Sequence, residues 1–177
     1  GLEKTFAVNH MAYVVITNLL LANIVDGGRI VVTASNAHRG AVLDFADLQS
    51  EHGYSGLSVY SRSKLMNNLF TRALARRLTR GITANALHPG FVATRFGDQS
   101  GGVMSGMIRL IKPVGAISPE EGAQTIIYLA SSAQVAGVNG EYFYECKPQT
   151  PTVHARNDAD GERLWRISEE IAGLDIT

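Results

Sequence analysis

Residues 54–87, YSGLSVYSRSKLMNNLFTRALARRLTRGITANAL, decide the fold. Most of this stretch predicts a long amphipathic helix, whose apolar stripe comprises Leu65, Met66, Leu69, Phe70, Ala73, Leu74 and Leu78. Gly81 ends the helix, and residues 82–87 follow as a short strand. A β-branched run at Arg29–Thr33 precedes the helix and is typical of a parallel strand covered on both faces. Strand, helix and strand in this order predict a parallel crossover.

The remaining segments continue the alternation of helices and strands. Helical periodicity runs over residues 2–24, 118–131 and 158–172, and residues 140–144 form one further strand pattern. This order predicts an α/β fold, namely a Rossmann-like doubly wound parallel sheet, in a single domain over residues 1–177.

Composition excludes several functional classes. Lys plus Arg and Asp plus Glu both number 16, so the chain has no basic excess of the kind that binds nucleic acid. The histidines show no HExxH-type spacing, and the single cysteine, Cys146, excludes a multi-cysteine metal site and an internal disulfide. One cysteine fits a reducing compartment, and we expect a cytoplasmic protein. The longest apolar run, near residues 14–25, is interrupted by Asn18 and Asn23, so we expect no transmembrane segment.

Tyr60 and Lys64 lie four residues apart in the central helix, which places the phenol and the ammonium on one face. A nearby cation favours the phenolate, so we expect Lys64 to lower the pKa of Tyr60 from about 10. A tyrosine tuned in this way can exchange a proton with an alcohol or carbonyl oxygen. The competing interpretation is a half-buried tyrosine beside a solvated lysine.

Polar residues at two strand ends converge on this pair. Ser35 follows the strand that begins at Arg29, Pro89 and Gly90 follow the next one, and ligands of doubly wound sheets bind at carboxyl ends of strands. Ser35 also suits a plain turn or cap. His38 and His88 are interpreted as structural residues that pack or bond the backbone.

Taken together, these motifs resemble the short-chain dehydrogenases/reductases. The family pattern is matched by Asn9, Thr33-Ala-Ser35, Tyr60-x-x-x-Lys64 and His88-Pro89-Gly90-x-x-x-Thr94. Finer matches to the retinol-dehydrogenase-like branch are Val8-Asn-His10, Ser35-Asn-Ala-His38, Leu69-Phe-Thr-Arg-Ala-Leu-Ala75 and Glu121-Gly-Ala-Gln124. The resemblance covers essentially the whole chain.

The resemblance implies catalytic roles for four residues. Tyr60 would be the general acid/base at the substrate oxygen, and Ser35 would hold that oxygen beside it. Lys64 would lower the pKa of the tyrosine and bond the nicotinamide ribose. Asn9 would use its backbone carbonyl to fix a water in a proton relay to Lys64, although a surface amide is the competing interpretation.

The resemblance also implies where the cofactor, NAD(P), would bind. Besides Tyr60 and Lys64, the turn at Pro89 and Gly90, the backbone near Val92 and the hydroxyl of Thr94 would orient the nicotinamide carboxamide. Thr94 is equally suited to be an N-cap. NADP is slightly favoured by the resemblance, although the residue that would select it is absent from this sequence.

One element of the family is missing from the sequence. The chain contains no G-x-G-x-x-G fingerprint, the Gly-rich strand–turn–helix that binds the cofactor pyrophosphate. We therefore expect this chain to be the C-terminal portion of a larger oxidoreductase and to be inactive without the remaining half. Two alternatives stay open, a reductase of ring double bonds and a non-catalytic regulator that retains the fold.

The partners that we expect are small molecules. Residues 95–117 would form a substrate lid, and the apolar side chains in and before it predict a hydrophobic alcohol or carbonyl substrate; they are Phe91, Phe96, Met104, Met107, Ile108 and Leu110. The resemblance also implies a homo-oligomer built from helices 2–24 and 56–79.

Overall fold

In the part of the chain that the structure describes, four strands form one sheet, and three of them are parallel. The structure is a computed structural model and describes residues 1–92 and 117–174. The strands are β1 (Arg29–Thr33), β2 (Thr83–Leu87), β3 (Tyr142–Tyr144) and β4 (Lys147–Gln149), in this spatial order. β1, β2 and β3 run parallel, and β4 is antiparallel to β3. The three predicted strands are confirmed, and β4 is an addition that the sequence did not predict.

Four main helices of the described residues surround this sheet. They are α1 (Lys4–Asn23), α2 (Gly56–Arg77), α3 (Pro119–Ser131) and α4 (Asp158–Ala172). Short 3-10 turns occupy Asn36–Gly40, Ala133–Val135 and His154–Arg156. α3 begins with a complete capping box, in which the Ser118 and Glu121 side chains each accept a backbone N–H of the other residue.

Side chains of the sheet alternate between two helical layers. Val32 and Ala84 belong to an apolar cluster with α1, α2 and α4, whereas Val31 and Leu87 belong to a cluster with α3. Helices therefore cover both faces of a parallel sheet, which confirms the predicted Rossmann-like doubly wound class. All five residues of β2 are buried, as expected for a central strand.

The β3–β4 turn explains why β4 was not predicted. Glu145 and Cys146 have φ of 49° and 58°, so both central residues of this two-residue hairpin are left-handed. Such turns normally carry Asn-Gly or Asp-Gly, and Glu-Cys gives no such signal. The Cys146 N–H donates to Thr125 Oγ1 at 3.1 Å and attaches the turn to α3.

One helix of the described residues, α1, bears on the expectation of no transmembrane segment, which stays a prediction. By length and composition, Lys4–Asn23 is apolar enough to cross a bilayer, since Asn18 and Asn23 do not interrupt it sufficiently. One such helix is weak evidence, because core helices of soluble proteins pass the same test. In this fold Phe6, Met11 and Val14 of α1 are buried in the core, while most of the helix surface is not.

A π-helical turn interrupts α1 at Ala7–Met11 and contains both Asn9 and His10. His10 is fully buried between Phe6 and Phe70, and its Nε2 lies 2.8 Å from Ser168 Oγ of α4. Burial lowers the pKa of His10 from 6.5 to about 3. The histidine is therefore neutral in the folded protein and must take up a proton when the protein unfolds below pH 6.5.

We predict that His10 makes the protein sensitive to acid. Because its folded pKa is lowered, its contribution to stability is complete above pH 6.5 and is lost as the pH falls towards 3. Between pH 8 and pH 5 this one group should remove at most about 2 kcal/mol from the free energy of unfolding. Urea titrations of the wild type and of His10→Leu at both pH values measure the difference. His38 and His88, whose pKa values burial also lowers, are common to both proteins. An equal loss in both proteins would contradict the prediction.

Candidate active site

A cavity of about 670 Å³ lies at the carboxyl ends of the parallel strands. Its volume lies within the range of roughly 300–1,000 Å³ that is usual for small-molecule sites. The structure brings seven of the predicted site residues to its lining, namely Asn9, Ser35, Tyr60, Lys64, Pro89, Gly90 and Val92. The eighth, Thr94, lies outside the described residues, as do residues 95–116 of the predicted lid.

Tyr60 and Ser35 line this cavity and contact each other. Ser35 is the N-cap of the 3-10 turn that follows β1, and its side chain hydrogen-bonds the Tyr60 side chain. The Ser35 Oγ also accepts the N–H of Ala37 at 3.2 Å. Because that lone pair is occupied, the hydroxyl proton of Ser35 is directed elsewhere, towards the phenol or a ligand oxygen.

The pKa of Tyr60 is shifted in the direction opposite to our expectation. Burial raises the pKa of the phenol above 10, and the hydrogen bond from Ser35 lowers it by less. The Lys64 Nζ lies 5.6 Å from the centre of the Tyr60 ring, so the predicted proximity is present. The desolvation of the phenol is nevertheless the largest influence on its pKa, and the neutral phenol is the dominant form at neutral pH.

Lys64 is held by the end of β1. Its Nζ donates to the Thr33 carbonyl at 3.0 Å, and the Asn67 amide donates to the same oxygen at 3.3 Å. The lysine side chain is buried, and burial lowers the pKa of its ammonium from 10.5 to about 8. The competing interpretation, in which Lys64 is a solvated surface lysine, is therefore wrong.

Asn9 reaches the same helix through a relay of hydrogen bonds. Its Nδ2 donates to Ser63 Oγ at 3.1 Å, and Ser63 Oγ donates to the Tyr60 carbonyl at 2.7 Å. Asn9 is half-buried in the π-helical turn, a feature that occurs frequently at functional sites. It is thus not a free surface amide. Its role in a proton relay stays a prediction.

The turn after β2 is shaped by close packing. Gly90 has a φ of 90°, and a Cβ at this position would lie 2.8 Å from Ile117 Cδ1. Val92 pairs with Ile117 in a parallel bridge, and a Cβ on Gly122 of α3 would lie 2.5 Å from Val92 Cγ2. The two glycines therefore let the turn and α3 approach each other at the wall of the cavity.

Sequence reasoning missed the contribution of α3 to the cavity. Pro119, Gly122, Ala123 and Ile126 line one side of it. The capping box located the start of this helix, but only the topology reveals that its first turns face the ends of the strands. Asn67 was also missed, although its position three residues after Lys64 places both on one helix face.

The described residues fit the nicotinamide end of a dinucleotide. Lys64 and Tyr60 offer donors at the cavity, and Pro89 and Gly90 line it beside them, with the chain turning at the positive φ of Gly90. The sequence has no G-x-G-x-x-G segment to bind the pyrophosphate. The fit therefore applies to the nicotinamide riboside and not to the complete cofactor.

A parallel sheet with a serine, a tyrosine and a lysine gathered at its carboxyl edge places this chain in the Rossmann-like class of folds. Comparison with known proteins narrows this class. A family model described as enoyl-(acyl carrier protein) reductase matches residues 1–145. Human retinol dehydrogenase 14 is 42% identical over 98% of this chain and 53% of its own length. Mouse retinol dehydrogenase 12 is 37% identical over 98% of this chain and 55% of its own length.

A solved structure agrees with these sequence matches. The crystal structure of an uncharacterised protein from Mycobacterium paratuberculosis aligns with a TM-score of 0.77 and 26% identity, over 100% of this chain and 61% of that one. The chain belongs to the short-chain dehydrogenase/reductase family, which confirms the resemblance to its retinol-dehydrogenase-like branch. It spans about half the length of the curated relatives that it matches.

We predict that removal of the Ser35 hydroxyl raises the pKa of Tyr60. The hydrogen bond from Ser35 lowers this pKa, so Ser35→Ala leaves the desolvation of the phenol uncompensated. An NMR titration of ¹³Cζ-labelled tyrosine over the alkaline range measures the shift. Ser131→Ala on α3, whose hydroxyl donates to the Ile127 carbonyl, is the control and should leave Tyr60 unchanged. A lower or equal pKa in Ser35→Ala would contradict the prediction.

We also predict that Gly122→Val destabilises the wall of the cavity. The new side chain would overlap Val92, and overpacking of this kind costs about 1–3 kcal/mol. Gly40→Val is the matched control, because no atom lies within 4 Å of a Cβ there. Thermal unfolding of both variants compares the two sites. Equal melting temperatures would show that Gly122 is not needed for close packing.

Proposed function

We propose that this chain carries the proton-transfer machinery of an NAD(P)-dependent enzyme that interconverts an alcohol and a carbonyl of an apolar substrate. One observation carries the proposal, namely the hydrogen-bonded pair of Tyr60 and Ser35 in a cavity at the carboxyl edge of a parallel sheet. Two hydroxyl donors that meet in this way can both bond one substrate oxygen.

Tyr60 acts as the general acid in the direction of reduction. The substrate carbonyl oxygen accepts hydrogen bonds from the hydroxyls of Tyr60 and Ser35. The hydride for the carbonyl carbon would come from a nicotinamide bound beside Lys64 and Tyr60. The electrons of the C=O π bond then move to the oxygen, and this oxygen takes the proton of Tyr60. Oxidation of the alcohol reverses each of these steps.

The protonation states support a role for Tyr60 as proton donor. The phenol holds its proton at neutral pH, which is the form that donates, and because burial raises its pKa it needs a partner that stabilises the phenolate. The phenolate that remains lies close to the Lys64 ammonium, 5.6 Å from the ring centre, and this cation opposes the cost of the new charge. Lys64 thus stabilises the product of the proton transfer more than the starting phenol.

The lining of the cavity supports an apolar substrate. Phe91, Val92 and Ile126 contribute to its wall, and Phe91 and Ile126 are still 38% and 36% exposed. The relatives that are named retinol dehydrogenases support the same chemistry, an alcohol or aldehyde on a hydrocarbon body. The preference for NADP over NAD remains a prediction of the resemblance, because the sequence contains no residue to which we assign that choice.

Reduction of a carbon–carbon double bond is the second candidate function. It corresponds to the reductase of ring double bonds that the sequence analysis left open. It is supported by the description of the matching family model, an enoyl reductase. A substrate panel of retinoid aldehydes, aliphatic aldehydes, steroids and cyclic alkenes distinguishes the two. The intact set of Ser35, Tyr60 and Lys64 argues against a non-catalytic regulator, and any turnover excludes it.

The predicted homo-oligomer is limited by the position of α4. This helix lies on α2, and a Cβ at Gly161 would come within 3.5 Å of the Leu69 carbonyl. Part of the α2 face that the resemblance assigns to an oligomer is thus covered within the chain. The outward face of α1, with exposed Val8, Ile16 and Leu19, remains open. The oligomer and the cytoplasmic location stay predictions.

We predict that Tyr60→Phe removes carbonyl reduction. The protein to be assayed contains this chain together with a Gly-rich cofactor-binding segment. Loss of the general acid should lower the rate of carbonyl reduction about 10²–10⁴-fold. Tyr54→Phe, at an exposed tyrosine ahead of the same helix, is the control and should retain full activity. Oxidation of NAD(P)H with each substrate of the panel measures the rates.

The same experiment includes the 177-residue chain alone. We expect only weak binding of NAD(P)H to it, because the pyrophosphate has no Gly-rich cradle in this sequence. Cofactor fluorescence measures this binding. Unchanged turnover in Tyr60→Phe would exclude Tyr60 as the general acid, and tight binding by the chain alone would refute the need for a further segment.

A further inference from the structure

His38 is buried directly behind Ser35, and the mechanism proposed above does not use it. None of its surface is exposed, and its ring contacts Tyr142 edge-on with a centroid distance of 5.1 Å. Its Nδ1 lies 2.6 Å from the Ser35 carbonyl oxygen, and its backbone N–H donates to the same oxygen at 3.2 Å. Two groups of one residue therefore hold a single carbonyl.

The partner of Nδ1 fixes the tautomer of His38. A carbonyl oxygen only accepts hydrogen bonds, so Nδ1 must carry the proton. Burial lowers the pKa of the imidazole, and the ring is therefore neutral with an unprotonated Nε2. Among the described residues Nε2 has no hydrogen-bond partner, which is a cost that a purely structural apolar side chain would avoid.

We propose that His38 is a positioning residue that keeps the hydroxyl of Ser35 directed at Tyr60. Ser35 has an extended backbone, with φ −162° and ψ 155°, and it forms the corner between β1 and the 3-10 turn. The His38 bond to its carbonyl fixes this corner, while the N–H of Ala37 occupies a lone pair of its Oγ. Both constraints together leave the hydroxyl proton of Ser35 free for the phenol and for a substrate oxygen.

Neighbouring groups hold His38 against this corner. Tyr142 of β3 packs against its ring, and His88 stacks near Tyr142 at 6.5 Å and on Tyr144 at 4.2 Å. His88 directly follows β2, and Tyr142 and Tyr144 belong to β3. His38 therefore lies where the carboxyl ends of the parallel strands meet. Because Tyr142 already packs against one side of the His38 ring, a displacement of this ring would also shift Ser35, to which it is hydrogen-bonded.

The role of His38 rests on the proposed function in one respect only, namely that the Ser35 hydroxyl donates a hydrogen bond to the substrate oxygen. Its test needs no turnover and no cofactor. The reporter is the pKa of Tyr60, which the hydrogen bond from Ser35 lowers. If His38 directs that hydroxyl, then loss of its Nδ1 donor should raise the pKa of Tyr60 in the 177-residue chain, in the same direction as Ser35→Ala.

Two variants separate positioning from simple packing. His38→Leu removes the donor and keeps an apolar side chain, whereas His38→Asn places an amide N–H near the position of Nδ1. We expect His38→Leu to raise the pKa of Tyr60 in a ¹³Cζ-tyrosine titration and His38→Asn to restore the wild-type value. In the Ser35→Ala background, His38→Leu should add no further shift, because the hydroxyl that it directs is already absent.

A measurement on the wild type keeps the proposal testable if His38→Leu does not fold. ¹⁵N-histidine NMR should show His38 as a neutral ring protonated at Nδ1, with slow exchange of that proton. An Nε2-protonated ring would overturn the proposal, as would an unchanged pKa of Tyr60 in a folded His38→Leu or an equal shift in His38→Asn. A failure here would leave the result of Tyr60→Phe standing, since that variant tests the chemistry and not its positioning.

Discussion

The peptide groups of Thr33, at the end of β1, connect the sheet to both helices of the site. The Thr33 N–H donates to the Tyr13 hydroxyl of α1 at 3.3 Å, and its carbonyl accepts from Lys64 and Asn67 of α2. β1 is the first strand of the described sheet, and these two backbone groups of its last residue have side-chain partners. Two residues after Thr33 the chain reaches Ser35. The same short segment thus places the serine and anchors the helix of Tyr60.

The burial of Lys64 is costly and points to function more than to stability. Lowering the pKa of a lysine from 10.5 to about 8 means that folding the charged form costs about 3 kcal/mol relative to water. The salt bridges among residues 1–92 and 117–174 do not include Lys64, and a neutral carbonyl offsets only part of this cost. A buried apolar side chain would be more stable here. The function proposed above supplies a reason to keep the lysine, since its ammonium would stabilise the phenolate that Tyr60 forms on donating its proton.

Local sequence signals predicted the layout of the fold and residues that line the cavity, but not the pKa values of those residues. The β-branched run that begins at Arg29 and the long apolar stripe before Gly81 suffice for a parallel crossover, and topology then brings Ser35 to Tyr60. The pKa of Tyr60 could not be predicted, because the balance between desolvation and a neighbouring charge depends on burial that only the packed structure has. The π-helical turn around Asn9 was also hidden, since its residues keep ordinary helical periodicity.

Apolar burial, more than ion pairing, holds α4 against α2. The ion pairs between the two helices involve side chains that are 29–54% exposed; they join Arg72, Arg76 and Arg77 to Asp158 and Glu162. Such exposed pairs contribute roughly 0–1 kcal/mol each. By contrast, Leu164 and Trp165 are 1% and 5% exposed, and burying one large apolar side chain contributes about 1.5–3 kcal/mol. Trp165 also stacks on Phe70 with a centroid distance of 5.6 Å and an interplanar angle of 7°. Salt, which screens only the charges, should therefore not uncover α2, and the face of α2 under α4 is unavailable to any partner that does not first displace that helix.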